Sequence, residues 1–163
     1  MRVKKHAYNA SSTMDTNDCL VCRKHRGDLP APGGAVYEDN LVYASHVFIP
    51  EGREVVYLGW LVLEPKRHAP CLPDLTDAEA ERFGLMTTRV SRALTQATGA
   101  EHIYSSVLGH HVPHLHLHLF PRYPNTPREY WWPRLDDWPD LPRGGEHEVT
   151  ELVARIRTRM KDA

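Results

Sequence analysis

The sequence lacks any long hydrophobic run: no stretch approaches the roughly 18 apolar residues of a membrane-spanning helix. It also lacks an excess of one charge. Twenty Lys and Arg stand against 21 Asp and Glu, a formal net charge of -1. That balance excludes a protein that grips a nucleic-acid polymer through bulk electrostatics. Cysteine is scarce, with only Cys19, Cys22 and Cys71. An odd count with one close pair is no disulfide framework. No secretory leader is expected either: the basic start, Met1 to His6, runs into Ser, Asn and Asp where an apolar segment should follow. Internal repeats and low-complexity tracts are absent. A reducing cytoplasm is the expected compartment.

What remains is a chain of 163 residues, long enough for one domain and cramped for two. Its 41% hydrophobic and 25% charged content is that of an ordinary globular protein rather than a disordered one. Residues 1–17 read as a loose tail, and 23–34, basic and then rich in Pro and Gly, as a loop. Ala35 to Glu38 and Leu41 to Ile49, joined by Asp39-Asn40, form a hairpin signal. Val55 to Glu64 reads as one central strand. Thr76 and Glu79 make a capping box, which satisfies the first free N–H groups of a helix. Phe83, Met86, Val90, Leu94 and Ala97 then give that helix one apolar face, with Gly99 as its stop. Ile103 to Leu108 and His114 to Phe120 read as strands around a Gly109-to-Pro113 loop. Pro121 to Gly145 has no clear period and is long for a structureless loop, so it is expected to pack on the domain. Val149, Leu152, Val153, Ile156 and Met160 mark a last amphipathic helix.

Histidine is abundant, with 11 in all and five between His110 and His118. In His114-Leu115-His116-Leu117-His118-Leu119-Phe120 the period-two alternation of a strand puts three imidazoles on one face and three leucines on the other. The leucine face suits a core. The histidine face suits metal binding, or nucleophilic and acid–base chemistry near neutral pH. Cys19 and Cys22 have the spacing of half a zinc site, which two histidines from elsewhere would close. A redox pair and two idle thiols fit the same spacing. His68, just past an apolar strand, is a candidate fourth member of the histidine group. His110 and His111 are placed to contact a bound anion from the loop. Arg122, Arg128 and Arg134 lie among tyrosines and tryptophans, where guanidinium forks and aromatic faces can hold a phosphate and a base, or simply clip the segment down.

These residues resemble the histidine-triad superfamily. His114 to Phe120 matches its signature, with Gly109 and Val112 before it and Pro121-Arg122 after. Leu61-Val62-Leu63-Glu64-Pro65-Lys66-Arg67-His68 is similar to the family's LVxPKxH strand end. Cys19 to Cys22, followed by Val36-Tyr37-Glu38-Asp39, resembles the start of zinc-containing bacterial members. The resemblance spans about residues 19–123. It divides the chain into a tail (1–17), a histidine-triad domain (18–123) and a Pro- and Trp-rich extension with a helix (124–163) packed on that domain.

The resemblance implies an α+β fold: a five-stranded antiparallel sheet with one main helix and a C-terminal helix, paired as a homodimer. It implies a nucleotide hydrolase or nucleotidyl transferase acting on a nucleotide or nucleotide conjugate. His116 would attack the α-phosphorus and form a nucleotidyl-histidine, while His118 orients the phosphate. Cys19, Cys22, His68 and His114 would hold a structural Zn2+. His110, His111 and Arg122 would contact substrate. Three positions depart from the family pattern. His110 and His111 stand where Gln and Ser or Thr are usual. Ser45 and His46 stand near the place of the residue that holds the ribose hydroxyls. Trp60 follows Gly59 where a His is usual. Three further readings accompany this one: a non-catalytic nucleotide or metabolite binder on the same fold, a family member repurposed to a non-nucleotide substrate, and a catalytic-metal enzyme using the triad as three histidine ligands.

Overall fold

The computed structural model describes residues 16–109 and 111–161. Five strands form an antiparallel sheet in the order β1-β2-β4-β6-β5: β1 Ala35–Glu38, β2 Val42–His46, β4 Leu61–Pro65, β6 Leu117–Arg122 and β5 His102–Val107. A second, two-stranded sheet joins β3 (Val56–Tyr57) to β7 (Arg143–Gly144). Three α-helices complete the α+β fold: α1 Leu20–Arg26, α2 Asp77–Thr98 and α3 Glu146–Met160.

The capping box starts α2 as read from the sequence. Thr76 Oγ1 accepts the Glu79 N–H, and the Glu79 carboxylate accepts the Thr76 N–H at 2.8 Å. The apolar stripe of α2, from Phe83 through Met86 and Val90 to Leu94, is buried against Val42, Ala44, Leu61, Leu63 and Leu119 of the sheet. Val149, Leu152, Val153 and Ile156 of α3 enter the same core, so both helices cover one sheet face.

Three expectations are corrected. The strand expected over His114 to Phe120 runs instead over Leu117–Arg122, so His114 and His116 lie before it. Val55 to Glu64 is two strands, not one. Gly59 adopts φ +83°, and a Cβ there would stand 2.8 Å from the Pro121 side chain. The chain therefore turns between β3 and β4, and β3 leaves to pair with β7. The loop expected from residue 23 is also shorter. The segment is helical through Arg26, and Gly27 ends it at φ +86°. A helix of seven residues has no stability of its own. It holds because Val21 and Cys22 are buried.

The stretch from Pro121 to Gly145 packs. Leu135 and Leu141 are buried with Tyr57 and Phe120, flanked by Trp60 and Trp138. The expected tail falls on residues 1–17, of which 1–15 lie outside the described residues. No described helix is long and apolar enough to cross a membrane.

Candidate functional site

Strand register fixes which side chains share the face away from α2. Ser45 stands opposite Val62, Tyr43 opposite Glu64, and Val62 opposite His118. His116 lies just before β6 and lines the same cavity as His118. Leu117 and Leu119 point the other way, into the core with Leu115. Helix α1 lies over the histidine face, and its residues build two adjoining sites with it.

The first site is a cluster of sulfur and nitrogen donors. Cys19 Sγ and Cys22 Sγ each lie 3.5 Å from His114 Nδ1, and Cys22 Sγ lies 3.4 Å from His68 Nδ1. The four donor atoms all fall within 4.8 Å of one another. A tetrahedral zinc ion with bonds of about 2.3 Å to sulfur and about 2.0 Å to nitrogen sets its ligands about 3.5 Å apart, so this set fits one. His114 Nε2 lies 2.8 Å from the Pro65 carbonyl, which can only accept. The proton is therefore on Nε2, and the Nδ1 lone pair faces the thiols. Burial lowers the His114 pKa to about 4, which keeps the ring in its ligating, neutral form. Burial, and then the neighbouring Cys19, raise the Cys22 pKa to about 11, a penalty on charge that a cation between the thiols would offset.

The second site is a cavity of about 200 Å³ that His116 and His118 help to line. Leu20, Val21, Val47, Phe48, Val62 and Val112 make apolar walls, and Lys24 and Glu64 are its other polar lining. His116 Nδ1 lies 2.7 Å from the His114 carbonyl, which can only accept, so Nδ1–H donates and Nε2 is the ring nitrogen left for other partners. The Trp60 indole N–H donates to His118 Nδ1 at 3.0 Å, which leaves the His118 proton on Nε2. Burial, and then His116, lower the His118 pKa to about 4, so His118 is a neutral donor near pH 7. His116 and His118 meet edge to face with ring centroids 4.9 Å apart.

Lys24 and Glu64 form a buried ion pair with Nζ–Oε2 2.8 Å. Lys24 also donates to Ser45 Oγ at 3.1 Å, and His25 Nε2 lies 3.0 Å from Glu64 Oε2. Burial works to raise the Glu64 pKa, but the Lys24 ammonium and His25 hold it below the usual carboxylate value.

The triad is thus divided. His114 belongs to the thiol cluster, while His116 and His118 face the cavity, so the three imidazoles do not converge as one ligand set. His68 joins Cys19, Cys22 and His114. His111 is exposed, while its neighbour Val112 lines the cavity; His110 lies outside the described residues. Arg122 sits farther along β6, with its guanidinium 3.9 Å from the Trp131 ring centroid, and is not among the residues lining the cavity. His46 is on the core face opposite Leu61. Its Nδ1–H donates to the Val47 carbonyl, and its Nε2 accepts the Gly59 N–H.

Sequence reading missed Lys24, His25 and Glu64. One signal was present: Glu64 is a lone carboxylate in an otherwise apolar strand, Leu61–Pro65.

Comparison with known proteins places these features in a family. The HIT domain family model matches residues 30–125. The chain is 31% identical over 90 residues to the nitrilase and fragile histidine triad fusion protein of Caenorhabditis elegans, covering 52% of this chain and 20% of the fusion protein. It is 27% identical over 111 residues to Protein hit of Bacillus subtilis, covering 65% of this chain and 72% of that one. The chain thus spans about a fifth of the fusion protein it matches. Among solved structures, a Zn-bound histidine triad family protein from Mycobacterium smegmatis superposes with a TM-score of 0.66 at 21% identity, over 90% of this chain and 96% of the other. A hypothetical histidine triad nucleotide-binding protein from Sulfolobus tokodaii superposes at 0.69 with 19% identity, over 88% and 93%. At those identities the two structures speak for the fold.

Proposed function

Because the chain belongs to the HIT family, we propose that it is a zinc-containing nucleotide hydrolase or nucleotidyl transferase working through a covalent histidine intermediate. The observation that carries this reading is the bond from His116 Nδ1–H to the His114 carbonyl, which leaves Nε2 as the nucleophile in the cavity. His116 Nε2 attacks the α-phosphorus of a nucleotide conjugate. A P–N bond forms as the bond to the leaving group breaks, and the leaving group departs with the electron pair and takes up a proton. Water or a second acceptor then attacks phosphorus and loses a proton. The P–N bond breaks, returning its electrons to His116 and releasing the nucleotide. His118 Nε2–H donates to a phosphoryl oxygen while charge builds on it.

Cys19, Cys22, His68 and His114 would hold a structural zinc ion. Four protein ligands would leave such an ion no open position. Bound there, it would tie α1 to the segment carrying His114, two residues before His116. A reducing cytoplasm keeps both cysteines as thiols able to take metal.

Turnover of dinucleoside polyphosphates and nucleoside phosphoramidates tests the reading. His116→Ala is expected to cost at least about a thousandfold in kcat. The parent protein, denatured during turnover, should carry one nucleotidyl group by mass spectrometry. Nucleotide binding with neither turnover nor adduct would instead establish the non-catalytic binder, a reading supported by the departures at His110, His111, Ser45 and His46.

The chain is further proposed to act as a homodimer. Strand β5 is an edge of the main sheet, and Val107 and Leu108 at its end are 41% and 43% exposed. Such an edge is a template for pairing.

A further inference from the structure

A separate cavity of about 170 Å³ is built where the Pro- and Trp-rich extension covers the sheet. Tyr57, Trp60, Phe120, Trp132 and Leu135 line it, so four aromatic side chains bound one small space. Two of their polar groups are spent elsewhere: the Tyr57 hydroxyl donates to the Pro121 carbonyl, and the Trp60 indole N–H to His118. Among the described residues its only charged lining group is Asp136, whose Oδ1 accepts from Arg143 at 2.7 Å. Trp132 is 39% exposed and brings the cavity to the surface.

Size and lining say what kind of ligand. An apolar cavity of about 150 Å³ takes a molecule the size of benzene. This one therefore suits a single aromatic ring and is too small for a nucleoside. No Lys, Arg or His is among its described lining residues, so a phosphate chain finds no cation there. Aromatic walls favour an aromatic guest through offset and edge-to-face contacts. The walls are set for such contacts: Trp60 and Phe120 are tilted by 40° with ring centroids 5.0 Å apart, and Phe120 and Trp132 by 40° at 4.9 Å.

Position says which part of a substrate meets them. Trp60 and Phe120 also touch His118, with ring centroids 5.7 and 5.8 Å from its own. His116 lines the first cavity with His118 but not this one. His118 thus stands between the two cavities. In phosphoryl transfer the leaving group departs in line, on the far side of phosphorus from the nucleophile. With His116 attacking and His118 donating to the phosphoryl group, that departure leads past His118 toward Phe120 and Trp60.

We propose that the aromatic cavity is the leaving-group site and takes one apolar aromatic ring; this rests on the nucleotidyl-transfer reading of His116. The preferred substrates are nucleotide conjugates whose leaving group carries such a ring a bond or two from the scissile atom. For an arylmethylamine conjugate, the bond from His116 to phosphorus forms as the bond from phosphorus to the amine breaks. The amine nitrogen keeps the electron pair, takes a proton from water and leaves as the free amine. Water then attacks phosphorus, loses a proton and releases the nucleotide from His116, so one water is consumed overall.

Adenosine 5′-phosphoramidates of benzylamine and of 2-methoxyethylamine test it, since the two amines have similar basicity and differ in the ring. The parent is expected to favour the benzyl conjugate at least about tenfold in kcat/KM, the scale of burying one ring. His116→Ala, which should not consume the conjugates, should bind the benzyl one more tightly by a similar factor in calorimetry. Trp132→Ala should bring the preference to within about threefold, and Trp132→Phe should restore most of it. Circular dichroism checks folding. If Trp132→Ala fails to fold, Leu108→Ser, which opens the same cavity, takes its place. A parent ratio near one, or a folded Trp132→Ala that keeps the full preference, overturns the proposal while leaving the hydrolase intact. Absence of turnover with a tenfold preference in binding removes the hydrolase and keeps the cavity as a ring site. Binding of neither conjugate, nor of adenosine 5′-monophosphate, overturns both.

Discussion

Each histidine of the triad has one ring nitrogen assigned by a neighbour. Pro65 assigns His114, the His114 carbonyl assigns His116, and Trp60 assigns His118. The assignments run in series: His114, in the donor cluster, supplies the carbonyl that orients His116, the proposed nucleophile. Trp60 is the positioning residue in this series, because its indole can only donate. Trp60→Phe keeps the ring contacts with Phe120 but removes that donor. We expect kcat to fall about tenfold, with KM little changed, as for a lost interaction that aligns the transition state. Nitrogen NMR should show His118 shifting from one tautomer to a mixture. An unchanged tautomer with unchanged kcat would assign Trp60 to packing alone. The histidine pattern was legible in the sequence because alternation is local. The tautomers were not, since each depends on a partner supplied by the fold.

At the scale of elements, local rules served where a segment's own residues satisfy its backbone. Helix α2 is such a case, and its start tests directly. Thr76→Ala removes the acceptor for the Glu79 N–H and is expected to cost about 1 kcal/mol in urea unfolding. Glu79 keeps a second task there, since its carboxylate takes two bonds from Arg67 and is held at about 2, chiefly by that guanidinium. Helix α1 is the opposite case. Its residues read as a basic loop, and tertiary contacts give the helix its place: burial of Val21 and Cys22, and bonds from Lys24 and His25 to Glu64. The break between β3 and β4 was hidden for a similar reason. Gly59 sits in a strand-like run, and the need for a positive φ comes from the approach of Pro121.

On the scale of the whole molecule, the donor cluster ties the N-terminal helix to two distant segments, 46 residues from Cys22 to His68 and 92 from Cys22 to His114. Closing such loops with a metal makes binding energy part of folding energy. Cys19→Ser is expected to lose zinc, about one equivalent per chain in the parent, and to lower Tm by about 10 °C or more. Metal retained in that variant would point to histidine ligands alone. The β5 edge is tested in the same terms. Val107→Lys places a charge on the exposed end of the strand and should shift a dimer toward monomer in sedimentation, without loss of secondary structure. A parent that sediments as a monomer overturns the pairing.

The sequence by itself determined the α+β class, the main helix with its cap, the leucine and histidine faces of the triad and the residues that form the donor cluster. All of these follow from periodicity, spacing or a matched motif, which a linear chain displays. Tertiary structure decided the rest. It split the three imidazoles between two sites, turned Trp60 onto His118 and sank Lys24 and Glu64 into one cavity. Those outcomes depend on which strands pair and what a short helix covers. A charge in a basic loop and a carboxylate in an apolar strand look unrelated until register and packing set them 2.8 Å apart.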